Sequence, residues 1–391
     1  MNRRTLDHIW TGLGLGLILL AATPALAAEC VPTAPVSTVT LPGRAYAVIA
    51  AANGCDFYVS LATQTPDKPG AISLVQFSNG VFAVTHTVAL TIQPQGLALS
   101  PDGAFVVAPG LEGVAFVNTA RLAAGDSDAA SVLADGGTGP IAASVTQDNR
   151  LVFVNDEKSN SVTVVDLTKA RANGFSPASI LGKVPMDQQP VGQALSPDGK
   201  YLYVGVEIEL ARPGLATPCK DAARGGAPGA AAPGAAAPAP SVPYPEGVVA
   251  VIDVARAARD SAHAVIAKAP SGCRPVRVVV SPDGSRIYLA ARASNQIVAF
   301  DAAKLRAGAS DARIGALTLP GAAIGLGRSN DGKTLYAGTP QNAVRIDAAT
   351  LALAGTLPGG ASARAIVVTP AGLALATTGK GLEVMDLGRA P

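Results

Sequence analysis

One short motif recurs along this 391-residue chain, and it limits the folds that the chain can adopt. Ser-Pro-Asp-Gly appears three times, each time after a short apolar run and before a second segment such as residues 200–204, KYLYV. Proline presets the backbone for a tight turn, and glycine accepts positive φ at no steric cost. Each copy therefore predicts a strand, a tight turn and a second strand.

Four weaker copies extend the repeat to seven. The strong copies are residues 98–103, 194–199 and 279–284, and the weaker ones are 51–54, 145–149, 327–332 and 368–372. Neighbouring copies are 40–50 residues apart, except for one spacing of 85. After a polar loop, a third strand ends in Asp or Asn, as in residues 161–166, and a fourth leads into the next copy. Four strands per repeat form one propeller blade, so we predict an all-β chain with a single seven-bladed β-propeller of four-stranded blades.

The 85-residue spacing contains a segment rich in Ala, Pro and Gly. We predict a disordered loop inserted in blade 4 at about residues 212–245, because such a composition cannot bury a core. A linker between two domains is the competing interpretation. The repeat resumes in phase at residues 248–253, VVAVID. This favours a single domain that spans residues 28–391.

The two ends of the repeat are complementary. The last copy stops after its third strand, near residue 387, whereas residues 37–43, STVTLPG, resemble the fourth strands at 316–321 and 354–359. The N-terminal strand is therefore predicted to complete the last blade, which removes two exposed sheet edges.

Residues 1–27 have the three parts of an export signal. Arg3 and Arg4 precede an apolar run over residues 9–22, and Ala25-Leu26-Ala27 is a cleavage site for export. The run is shorter than the roughly 20 residues that span a bilayer, so we expect a periplasmic or secreted protein with no membrane anchor after cleavage. The segment also half-matches a twin-arginine signal, which is an alternative export route.

The four cysteines are an even number in an exported chain, which indicates two disulfides. We name the strands of each blade a to d, outward from the channel. The a–b and c–d turns then share one face, and the b–c and d–a loops share the other. Cys30 and Cys55 belong to the first face, and Cys219 and Cys273 belong to the second. We therefore predict Cys30–Cys55 and Cys219–Cys273.

The repeat resembles that of the YVTN-type seven-bladed propeller family. The matching stretches are residues 196–204, SPDGKYLYV, and 160–166, NSVTVVD, and the resemblance covers roughly residues 37–387. This resemblance implies the seven-bladed propeller fold. Related propellers include binding proteins of surface layers and the periplasm, quinoprotein-like proteins and lactonases of the 6-phosphogluconolactonase type. No catalytic motif of these enzymes is present in the chain.

Several classes of chemistry are disfavoured. A net charge of +2 is too small for a nucleic-acid-binding surface. His86 and His263 are far apart in the repeat, and no zinc or haem motif occurs, so we expect no metal and no cofactor. Glu207 and Glu209 lie on one side of a strand. We expect them to be solvated, with calcium binding as the alternative.

Arginines interrupt the small residues predicted to line the channel. Arg277 and Arg364 should lie at its b–c/d–a mouth, and Arg44 and Arg274 are close to them in the repeat. An arginine side chain offers a fork of donors to carboxylates and other anions. The residues predicted to line this ligand-binding face are Arg277, Arg364, Arg44, Arg274, Gln95, Tyr46, Glu157, Lys158, Asn160, Arg292 and Asn295.

The sequence is compatible with three functions. The first is a monomeric, non-catalytic binding or scaffold module for a protein, a glycan or a small anionic ligand, because variable loops on a rigid ring commonly carry binding sites. The second is a lactonase-type hydrolase that activates water with carboxylates or arginines. The third is an accessory subunit of an exported redox system.

Overall fold

Seven four-stranded antiparallel sheets form the protein, as a computed structural model of residues 30–62, 69–134, 139–209, 219 and 243–389 describes it. The predicted fold class, an all-β seven-bladed propeller, is confirmed. The predicted export signal, residues 1–27, lies outside the described residues. So does the predicted insert at 212–245, apart from residues 219 and 243–245.

The sheets follow one another along the chain in the order of the repeat. Blade 1 contains β2 (Arg44–Ala50), β3 (Phe57–Ala62), β4 (Ala71–Ser78) and β5 (Val81–Ala89). Blade 2 contains β6 (Ala98–Leu99), β7 (Phe105–Gly110), β8 (Gly113–Asn118) and β9 (Ala130–Leu133). Blade 3 contains β10 (Pro140–Val145), β11 (Leu151–Asp156), β12 (Ser161–Asp166) and β13 (Ile180–Pro185). Blade 4 contains β14 (Gln188–Leu195), β15 (Tyr201–Ile208), β16 (Gly247–Asp253) and β17 (Val265–Gly272).

The remaining blades complete the ring. Blade 5 contains β18 (Pro275–Val280), β19 (Arg286–Ala291), β20 (Gln296–Asp301) and β21 (Arg313–Thr318). Blade 6 contains β22 (Leu326–Arg328), β23 (Thr334–Gly338), β24 (Ala343–Asp347) and β25 (Leu353–Thr356). Blade 7 contains β26 (Ala365–Val368), β27 (Leu373–Thr378), β28 (Gly381–Asp386) and, as its outer strand, β1 (Val36–Val39). The a strands, β2, β6, β10, β14, β18, β22 and β26, surround the channel.

The Ser-Pro-Asp-Gly motif folds through its own side chains. The Ser196 hydroxyl donates to Asp198 Oδ1 at 2.6 Å and accepts a hydrogen bond from the Tyr201 amide at 3.0 Å. Asp198 Oδ1 also accepts from the Lys200 amide at 3.1 Å, and Gly199 has φ +69°. The same hydroxyl-to-carboxylate bond recurs at Ser100–Asp102, Thr146–Asp148, Ser281–Asp283 and Ser329–Asp331. The turn is therefore defined by contacts within six consecutive residues, 196–201.

Short helices, which the sequence pattern did not predict, connect strands c and d in four blades of the described chain. They are α1 (Thr119–Ala123), α2 (Leu167–Ala172), α3 (Val254–Ala257) and α4 (Ala302–Arg306). The Asp or Asn that ends each third strand is the N-cap of the helix, and its side chain accepts a backbone N–H from the first turn. Among the described residues, 3-10 turns at Pro177–Ser179 and Ser261–His263 follow α2 and α3 in the same c–d connections, and a third at Arg292–Ser294 lies in the b–c loop of blade 5.

Small residues let the a strands approach each other around the channel. A Cβ on Gly192 would lie 2.7 Å from the carbonyl oxygen of Val276, and one on Gly325 would lie 2.8 Å from that of Ala363. Both glycines therefore face the backbone of the next blade. Apolar clusters fill the rest of the space between blades, such as the cluster that includes Phe153 of blade 3 and Leu202 and Ile252 of blade 4.

Both predicted disulfides are present. Cys30–Cys55 joins the segment before β1 to the a–b turn of blade 1, and Cys219–Cys273 joins the insert to the loop before β18. β1 pairs antiparallel with β28, with Val36 opposite Met385 and Val39 opposite Leu382. The first and last segments of the described chain are thus held in one sheet.

Candidate functional site

Arg44, Arg277 and Arg364 come from three different blades to the mouth of the channel on the b–c/d–a face. Arg277, on β18 of blade 5, donates from one Nη to the carbonyl oxygen of Arg364 in blade 7 at 2.9 Å. Its other Nη bonds the carbonyl oxygen of Val276 at 2.8 Å. Arg277 therefore reaches past blade 6, where the corresponding residue is Gly325.

Arg364 is held against an aromatic ring. Its guanidinium lies 5.5 Å from the centre of the Tyr46 ring, which belongs to β2 of blade 1. Burial lowers the pKa of Arg364, and the positive charges of Arg44 and Arg277 lower it further. The positive charges of Arg44 and Arg277 are thus both near enough to Arg364 to act on it. We call Arg44, Tyr46, Arg277 and Arg364 the mouth cluster.

No carboxylate neutralises the mouth cluster within the described part of the chain. Its three arginines take part in none of the ion pairs found there. The a strands carry no Asp or Glu, and their charged side chains are Arg44, Arg277 and Arg328. Arg328 lies at the other end of the channel. The mouth is therefore a positively charged site.

Arg274 and Arg292 belong to a second group, around Glu207 at the end of β15. Arg274 Nη1 lies 2.5 Å from one oxygen of Glu207, and Arg292 Nη2 lies 2.9 Å from the other. The Arg274 guanidinium also lies 4.7 Å from the centre of the Tyr244 ring. Arg274 directly follows Cys273, so the disulfide to the insert ends beside this ion pair. We call Glu157, Glu207, Arg274 and Arg292 the Glu207 cluster.

The expectation that Glu207 and Glu209 are solvated is wrong. Glu207 is 2% exposed and Glu209 is 9% exposed. Two guanidiniums compensate the desolvation of Glu207, which is the condition for burying a carboxylate. A charged residue inside the apolar run of residues 201–208 was the signal in the sequence, but neither Arg274 nor Tyr244 could be identified as its partner.

Glu157 differs from Glu207 in its surroundings. It follows β11 in the b–c loop of blade 3 and is half-buried. Burial raises the pKa of Glu157, and the nearby charge of Glu207 raises it further, whereas Arg292, Lys158 and Arg274 act in the opposite direction. Glu157 is therefore a carboxyl group whose proton is held more tightly than usual, beside two arginines.

Other predicted site residues have structural contacts. The Asn160 side chain accepts the amide of Gln189 at 3.0 Å, and the carbonyl oxygen of Asn295 accepts the amide of Leu319 at 2.7 Å. Both asparagines have left-handed backbone conformations that form their loops. Gln95 is half-buried in the loop before β6, and Lys158 is exposed. For all these residues, a role in ligand binding stays a prediction.

The described ranges contain neither a candidate metal cluster nor a candidate membrane-spanning helix. No cluster of three or more His, Cys, Asp and Glu residues suited to a metal ion occurs there. His263 is exposed and lies 2.9 Å from the Asp260 carboxylate. No described helix is long and apolar enough to cross a membrane.

A depression of about 430 Å³ lies at the opposite mouth of the channel. It is formed by a strands and a–b turns, and its lining is Ile49, Ala50, Ala51, Ala52, Leu99, Ser100, Pro101, Val145, Gln147, Asn330, Val367, Val368 and Pro370. None of these side chains is titratable. The lining of this depression therefore offers no charged group, and Arg328 is the charged a-strand residue at this end of the channel.

Comparison with solved structures finds the same architecture in proteins of unrelated sequence. Hydrazine synthase of Kuenenia stuttgartiensis aligns with a TM-score of 0.63 at 16% identity, over 90% of this chain and 97% of that chain. The β-propeller domain of Cps50 (Swd1) from Myceliophthora thermophila aligns with a TM-score of 0.62 at 12% identity, over 90% and 98% of the two chains. A protein of unknown function from Desulfotomaculum acetoxidans aligns with a TM-score of 0.57 at 10% identity, over 82% and 87%.

No protein-family profile matches the chain, and no curated protein matches it in sequence. At identities of 16% and below, the similarities in structure bear on the fold alone. The chain is thus a seven-bladed β-propeller whose function has to be argued from its own side chains.

Proposed function

We propose that this protein is an exported β-propeller that binds a small anion at the mouth cluster. One observation carries the proposal: three guanidiniums from three blades converge with no described carboxylate to neutralise them. Guanidiniums form strong, charge-assisted hydrogen bonds with carboxylates and oxyanions. A bound anion would relieve the repulsion between the three cations and would complete their hydrogen bonding.

The rigidity of the ring supports binding with little rearrangement. Arg277 is held by two carbonyl oxygens, and Arg364 is held against Tyr46, so both cations are oriented before a ligand arrives. The two disulfides are compatible with an exported protein, and a periplasmic or secreted location is part of the proposal.

Calorimetric titration with butyrate, glutarate, tricarballylate, phosphate and sulfate tests the anion site. We expect at least one anion to bind, and we expect Arg277→Gln and Arg364→Gln each to weaken binding about tenfold or more. The expected magnitude follows from the roughly 1.5–3 kcal/mol of a hydrogen bond to a charged group. Binding should also weaken as ionic strength rises.

Arg259→Gln is the matched control, because Arg259 is exposed on the opposite face and should leave the affinity unchanged. The proposal is wrong if no anion of the panel binds. It is equally wrong if both mouth variants bind the anion as tightly as the parent protein.

Hydrolysis of a lactone at the Glu207 cluster is a second candidate function, favoured by Glu157. A carboxyl with a raised pKa is suited to proton transfer near neutral pH. Glu157 would take a proton from the water that attacks the lactone carbonyl and deliver it to the ring oxygen as the ester bond breaks. Arg292 would stabilise the oxyanion. Turnover of a lactone panel that disappears in Glu157→Gln supports this function, and no turnover by the parent protein contradicts it.

A further inference from the structure

The charge of the mouth cluster indicates which class of anion it binds. This inference rests on the proposed function. Arg44, Arg277 and Arg364 together carry three positive charges. A ligand with one negative charge would leave two of the three positive charges without a counter-charge. A ligand with several negative charges would neutralise more of the cluster and would gain more from it.

The donors of the cluster point to separate anionic groups on one ligand. A guanidinium has five N–H groups, and the contacts of Arg277 occupy only part of them. The Arg364 guanidinium lies 5.5 Å from the centre of the Tyr46 ring, and its N–H groups can donate to a planar, bidentate partner. Arg44 is exposed at the start of β2 and lies near Arg364.

The three arginines come from different points around the mouth. They belong to blades 1, 5 and 7, and each blade is a separate sheet. A compact oxyanion has all its oxygens on one central atom, whereas carboxylates on neighbouring carbons can each meet a different guanidinium. The placement therefore favours an anion whose charges are spread over several atoms.

We propose that the mouth cluster binds a small polycarboxylate, with two or three carboxylate groups shared among Arg44, Arg277 and Arg364. Carboxylates are planar and match the fork of the guanidinium.

A matched series of ligands tests this proposal by calorimetry at fixed ionic strength. Butyrate, glutarate and tricarballylate are propane carrying one, two and three carboxylates. We expect the dissociation constant to fall about tenfold or more from butyrate to glutarate, and again to tricarballylate, since each step adds a charged hydrogen bond. Phosphate and sulfate serve as compact oxyanions of comparable charge.

Arg44→Gln gives a second readout. It should weaken binding of tricarballylate about tenfold while it changes binding of butyrate by less than about threefold, because the monoanion does not need the third guanidinium. Arg44 is exposed, so the fold should be unaffected, and thermal unfolding checks this. Arg259→Gln should change neither affinity.

The outcomes separate this inference from the broader anion site. Equal affinity for the three propane carboxylates, still dependent on Arg277 and Arg364, would overturn the polycarboxylate assignment and leave the anion site intact. Phosphate or sulfate binding more tightly than tricarballylate would overturn it in favour of a compact oxyanion. Binding of no anion at all would overturn both proposals.

Discussion

At the scale of single residues, two glutamates on one face behave differently because of their neighbours. Glu207 is buried and bonded to two guanidiniums. Glu157 is half-buried and makes no ion pair with a described residue, although Arg292 and Arg274 are near enough to influence its pKa. The sequence distinguishes these residues only by their position in the repeat. Their chemistry depends on loops from blades 3, 4 and 5.

Replacing Glu157 with Gln should stabilise the protein at high pH. Because burial raises the pKa of Glu157 above its ordinary 4.5, the folded state favours the protonated form. The contribution of Glu157 to stability is therefore complete below pH 4.5 and is lost as the pH rises through the folded pKa. We expect Glu157→Gln to raise the melting temperature at pH 8 and to leave it unchanged at pH 4.

Thermal unfolding followed by circular dichroism measures this effect. Glu112→Gln, at an exposed carboxyl in the b–c loop of blade 2, is the control and should shift the melting temperature little at either pH. A lower melting temperature for Glu157→Gln at pH 8 would show that its carboxylate is stabilising and would contradict the prediction.

At the scale of elements, the turns made the repeat recognisable in the sequence, because their hydrogen bonds are local. The Ser196–Asp198 bond and the amides that these side chains accept lie within residues 196–201. Such contacts are local, so the residue types that make them recur at constant spacing. The third-strand Asp residues are equally local, yet their role as helix caps was missed because the following helices have only four to six residues.

Gly199→Ala should lower the free energy of unfolding by about 1–2 kcal/mol, which is the cost of a left-handed backbone conformation for a residue with a Cβ. Gly199 has φ +69°, and a Cβ there would meet no atom within 4 Å, so the loss would come from the backbone alone. Gly199→Asn should cost less, because Asn149 occupies the equivalent position in blade 3 with φ 57°.

Equilibrium unfolding in urea measures both variants. Lys200→Ala, at the exposed residue next to Gly199, is the control for a mutation in this turn. An Ala variant as stable as the parent protein, or an Asn variant less stable than the Ala variant, would contradict the expected order.

At the scale of the whole molecule, contacts between distant parts of the chain link the blades into a ring. Buried hydroxyl or amide groups on b strands donate to carbonyl oxygens of the next blade, as in Ser60 to Gln95 at 2.6 Å and Thr377 to Tyr46 at 3.0 Å. The latter bond joins blade 7 to blade 1. The pairing of β1 with β28 and the Cys30–Cys55 disulfide strengthen the same junction.

Cys30→Ala/Cys55→Ala should lower the free energy of unfolding by about 3–4 kcal/mol, because the disulfide closes a loop of 25 residues in the unfolded chain. The comparison is made with Cys219→Ala/Cys273→Ala as the parent, so that only one disulfide differs. Urea unfolding with reductant provides the control. Reduction should remove the difference in unfolding free energy between this parent and the variant that also lacks Cys30 and Cys55. A difference below about 1 kcal/mol without reductant would contradict the prediction.

The sequence by itself determined the blade count, the strands, the turns and both disulfide pairings. These features follow from local hydrogen bonds, alternating patterns and the assignment of each loop to one face, all of which are periodic along the chain. The repeat also placed four arginines at one mouth of the channel, but only the tertiary structure decided the partner of each. Arg277 and Arg274 are three residues apart, yet Arg277 contacts the Arg364 backbone in blade 7 and Arg274 contacts Glu207 in blade 4. Partners 87 and 67 residues away are selected by ring closure and by the reach of each side chain, and no spacing in the sequence encodes them.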